Sequence, residues 1–329
     1  MINTANSSIP VTRRKRDLEG RVVVLVGGSG FFGRHLAQEL LARGARLRVV
    51  SRHPERAYRV RPLGNLGQVQ FGRVDVTRPA TLAAAFAGAH AVVNLVGGFR
   101  GNLDALQGRG AGRVAEAAAQ AGVAQFVQVS ALGASAEATS AYGRSKAAGE
   151  AAVLAAFPSA TILRPSVLFA DDDRFVTMFA GLIAALPALP VFGPDAKLQP
   201  LFVDDAAEAI GNLLADPALA AGKTIELAGP EVVTMASLHE AIAAAQERKG
   251  RFVPLPDPVS GLFAALTGWL PGAPLSRDQW AMLRVGNVAS GTLPGIAALG
   301  VRPRPLGLFL DRWMVRYRRH GRFADRLAA

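Results

Sequence analysis

Tyr142 and Lys146 stand four residues apart in Tyr142-Gly143-Arg144-Ser145-Lys146, a spacing that puts both side chains on one face of a helix. An ammonium close to a phenol favours the phenolate, so the pair suits proton transfer beside a bound cofactor while the lysine holds a ribose. Ser130, upstream of the pair, is placed to polarise a substrate oxygen. Alone, Y-x-x-x-K is common on helix surfaces. Its weight here comes from a second motif, Gly27-Gly28-Ser29-Gly30-Phe31-Phe32-Gly33, whose glycines at 27, 30 and 33 directly follow an apolar run. Such a turn lets the backbone approach a pyrophosphate without a Cβ in the way and offers free N–H groups at the positive end of a helix. The candidate cradle is therefore Gly27, Ser29, Gly30, Phe31, Phe32 and Gly33.

Cofactor choice is read after the next apolar run, at Ser51-Arg52-His53. An acid there would hold the ribose 2′-OH of NAD, whereas an arginine favours the 2′-phosphate of NADP. No acid precedes Glu55, which favours NADP(H) over NAD(H); the alternative is that Arg52 is a solvated loop arginine. Asp75 and Val76 end a third run, where they offer an acceptor and an apolar contact to an adenine, although Asp75 is equally suited to cap a following helix.

These residues need a scaffold, and residues 21–165 supply its signature: short β-branched runs alternating with Ala/Leu-rich segments. Strands are expected at 22–26, 47–50, 69–74, 91–96, 124–129 and 160–163, with helices behind the glycine turn, from Ala80, from Leu103 and from Tyr142. Gly44 closes the first helix. The pattern predicts an α/β fold with a doubly wound parallel sheet. Beyond Pro165 prolines interrupt the chain, strands return at 201–203 and 224–227, and from Glu231 onward only helices and proline-rich loops are expected. The division is a basic tail (1–20), a nucleotide-binding domain (21–170, completed by about 198–230) and a smaller, mainly helical lobe (171–197 and 231–329).

Composition narrows the chemistry. The 329 residues hold 37 Lys+Arg against 25 Asp+Glu, a net charge of +12, and no cysteine, which excludes disulfides, thiolate metal sites and cysteine nucleophiles. The five histidines are dispersed and lack metal-ligand spacing, so no metal is expected. The acidic run Asp171, Asp172 and Asp173 reads as a solvated loop rather than a cation site. Apolar stretches at 176–186 and 262–270 fall short of the ~20 residues that cross a bilayer. The basic tail is followed by no signal-like apolar run. The excess positive charge admits anionic lipid or an acidic protein, whereas nucleic acid is not expected, since no recognition-helix or aromatic-basic sheet motif is present.

The glycine turn, Ser130 and the Tyr142/Lys146 pair together resemble the short-chain dehydrogenase/reductase superfamily, with its Rossmann sheet, and Phe202-Val203-Asp204-Asp205 is similar to its extended and atypical branches. A narrower resemblance runs from residue 21 to about 320. Arg61-Pro62-Leu63-Gly64-Asn65-Leu66-Gly67-Gln68, Val93-Asn94-Leu95-Val96-Gly97, Asp173-Arg174-Phe175 and Leu299-Gly300-Val301 resemble the NADPH-binding accessory subunit of respiratory complex I (NADH:ubiquinone oxidoreductase) and its bacterial relatives. That likeness implies a tightly held NADP(H), complex I subunits as partners, and a structural or assembly role. It places the chain in the cytoplasm on the inner membrane, or on the matrix side in a mitochondrion. It also implies that Leu95, Val96, Gly97, Pro165 and Ser166 approach the cofactor. The alternative is a catalytically active reductase, dehydrogenase or nucleotide-sugar epimerase/dehydratase acting on a small-molecule substrate, because Ser130, Tyr142 and Lys146 are all present.

One further pattern concerns partners. Leu306, Phe309, Leu310, Trp313, Met314 and Tyr317 form an apolar stripe at helical spacing, with Arg312, Arg316 and Arg319 on other faces and Arg318, Arg322 and Arg326 adding charge. Two expectations follow: a helix docked on its own lobe, or one meeting an anionic membrane surface or an acidic subunit.

Overall fold

The structure, a computed structural model, describes residues 16–268, 275–319 and 321. Arg13, Arg14 and Lys15 of the basic tail, and Arg322 and Arg326, lie outside them. Six strands follow in order: β1 (Val22–Val26), β2 (Arg46–Ser51), β3 (Val69–Arg73), β4 (Ala91–Asn94), β5 (Gln125–Val129) and β6 (Thr161–Pro165). Helices α1 (Phe31–Ala42), α2 (Ala83–Phe86), α3 (Arg109–Gln120) and α4 (Ala141–Ala156) connect them, except that β2 and β3 are joined by 3-10 turns at Pro54–Leu63. After β6 come β7 (Leu168–Phe169), α5 (Val176–Ala185), β8 (Leu189–Phe192), β9 (Lys197–Leu198), β10 (Leu201–Phe202), α6 (Val203–Ala215) and β11 (Thr224–Leu227). The remainder is β12 (Val233–Thr234), α7 (Met235–Ala245), β13 (Phe252–Leu255), α8 (Asp257–Thr267), α9 (Arg277–Val285) and α10 (Gly307–Met314).

Seven parallel strands form the main sheet in the order β11-β6-β5-β4-β1-β2-β3. From β1 the chain runs outward through β2 and β3, then returns to place β4 on the opposite side. The sheet therefore switches direction between β1 and β4, and a crevice opens there beyond the carboxyl ends of the strands. β1 and β4 are apolar almost without interruption because both sheet faces are covered. One core holds Leu36, Leu40, Ile210 and Leu213 of α1 and α6; the other holds Phe86, Val114, Phe126 and Val153. Among the described residues no helix is long and apolar enough to cross a membrane.

Two expectations change, and a choice between two others is made. Residues 231–329 are not free of strands: β12 pairs antiparallel with β9, and β13 pairs parallel with β8. Two-residue strands, and one broken by Pro254, carry too little alternation to be read. The strand expected at 201–203 stops at Phe202 and lies beside β7 rather than in the main sheet, since Val203 already opens α6. The terminal stripe belongs to the protein's own lobe. Leu306, Leu310 and Met314 are buried, and Phe309, Trp313 and Tyr317 pack against the same core as Phe169, Phe202 and Ile242. Phe309 stacks on Phe202 with ring centroids 4.2 Å apart, so the stripe faces the lobe, and Leu308 is the large apolar residue of this helix left exposed.

Candidate functional site

The glycine turn sits at the switch point. Gly27 has φ +79°, which a side chain would strain, and its N–H donates to the Val50 carbonyl at 2.8 Å. Gly30 is the N-cap of α1, in extended conformation and exposed; a Cβ added there would meet only the Gly27 carbonyl oxygen at 3.6 Å. Gly33 differs: its Cβ would lie 2.6 Å from the Gly28 Cα, so this glycine seals α1 against the turn. Space is thus left where a pyrophosphate would lie and removed where the helix must close. Ser29 is half-buried beside Gly30, while Phe31 and Phe32 lean toward the helical lobe and pack on its core.

At the adenosine end, the buried Oγ of Ser51 has no hydrogen-bond partner. Arg52 is exposed, and its side chain makes no hydrogen bond or ion pair with a described residue. The end of β2 thus carries a buried hydroxyl that lacks a hydrogen-bond partner and, one residue on, an exposed guanidinium. Asp75 accepts hydrogen bonds from the Thr77 hydroxyl at 2.7 Å and N–H at 2.9 Å. Those bonds, with the charges of Arg52 and Arg78, hold its carboxyl below the usual range despite some burial. Its carboxylate therefore works locally in a turn. Val76 is buried in the core beside α3.

Across the crevice, Leu95 and Val96 follow β4, and Val96 abuts the position of Gly27. Gly97 lies under Lys146, whose Nζ is 3.2 Å from where a Cβ would be. Lys146 is buried and donates to the carbonyls of Val129 at 3.1 Å and Val96 at 3.4 Å. Burial lowers its pKa to about 8, against the opposing charge of Glu150. Glu150, one helical turn on, is held by Arg164 of β6 through two bonds of 2.9 and 2.6 Å. Ser130 follows β5 with a buried Oγ that lacks any partner. Pro165 and Ser166, at the end of β6, are buried; Ser166 donates from its hydroxyl to the Gln199 carbonyl.

Tyr142 departs from the expected chemistry. Lys146 Nζ lies 5.8 Å from its ring centre, and burial pushes its phenol up to about 12 rather than toward phenolate. The ammonium is engaged by carbonyls and does not offset that desolvation. Phe99, itself 53% exposed, stacks on the Tyr142 ring at 4.7 Å.

Several residues that hold the site were not visible in the sequence. Asp278 of α9 accepts from the N–H groups of Ala141 at 2.5 Å and Tyr142 at 3.0 Å, while Ser140 accepts from Gly143 at 3.0 Å. The first turn of α4 is thereby capped partly from the other lobe. His35 of α1 lies between Asp204 at 2.7 Å and Asp172 at 3.0 Å. Burial pulls its pKa down, but these two carboxylates outweigh it and the net shift is upward. The 171–173 run is a solvated turn only in part: Asp171 and Asp172 are exposed, but Asp172 also pairs with Arg34 at 2.8 Å, and buried Asp173 accepts from the N–H groups of Ala170, Phe175 and Thr177. Among the described residues no cluster of three or more His, Asp or Glu could hold a metal.

Comparison with known proteins gives a family and a fold. Residues 27–178 match the NAD(P)H-binding family, and residues 133–261 match the RmlD substrate binding domain. The chain is 31% identical over 326 residues to the Arabidopsis thaliana mitochondrial NADH dehydrogenase (ubiquinone) 1 alpha subcomplex subunit 9, covering 94% of this chain and 81% of that protein. It is 32% identical over 243 residues to a ceramide reductase of Caulobacter vibrioides, covering 72% and 74% respectively. Citrobacter sp. triphenylmethane reductase, in its complex with NADP(H), has the same fold, with a TM-score of 0.72 at 19% identity over 88% of this chain and 99% of that one.

Proposed function

We propose that this chain, which belongs to the NADH dehydrogenase (ubiquinone) 1 alpha subcomplex subunit 9 family, holds NADP(H) as an accessory or assembly subunit of respiratory complex I, with little or no turnover. The observation that carries nucleotide holding is the open space over Gly30 at the N-terminus of α1, on the switch point of the sheet. Gly27, Ser29 and Gly30 take the pyrophosphate, Ser51 and Arg52 the 2′-phosphate, and Lys146 the nicotinamide ribose. NADP(H) is preferred over NAD(H). Bound there, the nucleotide would supply a hydride donor, while burial raises the pKa of Tyr142 under Phe99 and makes its phenol a weaker acid. The chain sits peripherally at the inner membrane, on its cytoplasmic or matrix side, against complex I subunits.

A second reading, a reductase with a lipid-like substrate, is favoured by one observation: Ser130 keeps a buried, unpartnered hydroxyl beside the Tyr142/Lys146 pair. The ceramide reductase relative is in accord with it. The deciding experiment measures nucleotide retained by the purified chain and its recovery with complex I after deletion or Lys146 substitution. A chain that carries no nucleotide and never accompanies the complex would overturn the first reading, and NADPH oxidation dependent on Tyr142 would establish the second.

A further inference from the structure

Most arginines with defined partners on this protein are spent in the fold: Arg34 on Asp172, Arg43 on Glu39, Arg164 on Glu150, Arg304 on Asp205 and Arg318 on Glu247. Arginines without a side-chain partner occur elsewhere among the described residues, but the segment leading into and along β3 gathers several in a stretch with no acid. Between Glu55 and Asp75 there is no acidic residue, while Arg56, Arg59, Arg61 and Arg73 all occur there. All four are exposed, and none makes a side-chain hydrogen bond or ion pair with a described residue. Interleaved with them are Tyr58, 56% exposed, and Leu63, 47% exposed, and at the tip of the following turn stands Leu66, 104% exposed.

The turn that carries Leu66 is firmly built. Gln68 donates to the carbonyls of Leu41 at 3.2 Å and Ala45 at 2.8 Å, and accepts from the Asn65 N–H at 2.9 Å. Gly67 supplies the left-handed residue at φ +77°. Tyr58 lies edge-on to Phe71 of β3 at 5.1 Å. A leucine fully in water on an anchored turn costs apolar hydration and gives nothing to the fold. Because β3 is the outer strand of the sheet, Arg73 has a simple role in blocking edge pairing. That role does not account for Leu66 or for arginines on the connection before the strand.

The geometry points to this segment, residues 56–73, as a docking surface for an anionic phospholipid bilayer. A protruding leucine with a tyrosine and flexible arginines matches the boundary between headgroups and acyl chains, where the ring and the aliphatic stems bury and the guanidinium groups meet phosphates. A folded acidic protein would instead have to offer a pocket for Leu66. The inference is independent of the nucleotide reading and moves membrane contact from the terminal helix, whose stripe is buried, to the edge of the main sheet.

The test is co-sedimentation of the full chain, loaded with NADPH, with vesicles of phosphatidylcholine alone or containing about 30 mol% phosphatidylglycerol, at low and high salt. Binding is expected only to the anionic vesicles at low salt. Arg56→Glu/Arg59→Glu/Arg61→Glu should weaken it on the order of a hundredfold, from about fivefold for each arginine near a charged surface. Leu66→Ser, a change at a fully exposed side chain that cannot disturb packing, should weaken binding severalfold in a salt-insensitive way. Arg312→Glu/Arg319→Glu, exposed at the terminal helix, should leave it unchanged. NADPH binding and melting temperature, read on the same samples, should be unaltered in all variants. The proposal is overturned if the folded, loaded parent ignores anionic vesicles, if it binds neutral vesicles equally well, or if Leu66→Ser is silent while Arg312→Glu/Arg319→Glu abolishes binding. A parent that ignores vesicles but is retained by immobilised polyglutamate would assign the surface to an acidic protein instead.

Discussion

Two glycines three residues apart should separate nucleotide binding from folding. Gly30 has φ −76° and ψ −179°, ordinary for any residue, and a Cβ there meets nothing closer than 3.6 Å. Gly30→Val should therefore fold, losing about 1 kcal/mol because valine is a poor N-cap, while its methyl groups fill the space over the helix terminus. For Gly33→Ala the added carbon would sit 2.6 Å from the Gly28 Cα, and backbone cannot yield as a flexible side chain does. A cost of about 1–3 kcal/mol is expected. The assay is thermal melting with and without NADPH at about a hundred times its dissociation constant, which stabilises the parent by about 2.7 kcal/mol. With unfolding entropy near 2.1 cal/mol/K per residue, 329 residues give about 0.7 kcal/mol/K, so the shift is about 4 °C. Gly30→Val should melt within about 2 °C of the parent and show no ligand shift. Gly33→Ala should melt lower by about 1.5–4 °C yet keep part of the shift. A full NADPH shift in Gly30→Val would refute the placement of the pyrophosphate.

Arg52→Asp should reduce or reverse a preference for NADPH over NADH of roughly ten- to a hundredfold, the worth of one charge-assisted contact, as read by calorimetry; equal affinities in the parent would remove the claim. Lys146→Ala should weaken NADPH binding. In the parent, affinity should fall as pH rises past about 8, where Lys146 loses its proton; a flat profile to pH 9.5 would count against the ribose contact. Because that pKa lies below the unfolded value, stability of the nucleotide-free chain should rise, not fall, between about pH 8 and the ordinary lysine range near 10.4. Tyr142→Phe should leave NADPH affinity and complex I abundance nearly unchanged, and any substrate turnover it abolishes would favour the reductase reading. Truncation after Leu306, which removes buried Leu310 and Met314, should destabilise the helical lobe by on the order of 5 kcal/mol, visible as a lost or early melting transition.

What could be read from the sequence was local. β1 and β4 were legible as unbroken apolar runs, and the glycine turn announced itself because strand, turn and helix are contiguous. Y-x-x-x-K placed two side chains on one helix face, and that placement holds. Its electrostatics could not be read: the spacing shows a lysine near a tyrosine, but not that carbonyls of Val96 and Val129 would occupy the ammonium and burial would dominate the phenol. Asp278 is 136 residues from Tyr142, and Asp204 is 169 from His35, distances over which no pattern carries. The terminal stripe shows the limit of periodicity, which identifies an apolar face but not what covers it.

These long-range contacts bear on why a nucleotide could serve as structure. α1 carries the proposed pyrophosphate site at its N-terminus and, one turn later, gives His35 to Asp172 and Asp204. Both ring nitrogens face carboxylate oxygens, and only the imidazolium can donate to both. Asp205, next to Asp204, takes the N–H of Arg304 at 2.7 Å and its guanidinium at 2.6 Å, which fixes the approach to α10. On the other side, Asp278 ties α9 to the first turn of α4, the helix that carries Lys146. Each end of the candidate nucleotide site is thus one helical turn from a carboxylate bridge into the helical lobe. A ligand that binds only the folded cradle adds RT ln(1 + [L]/Kd) to its stability, and that gain reaches the bridges because α1 and α4 bear both functions. No catalytic step is needed for such a ligand to matter to assembly; it is enough that it holds α1 and α4 where their carboxylate partners can find them.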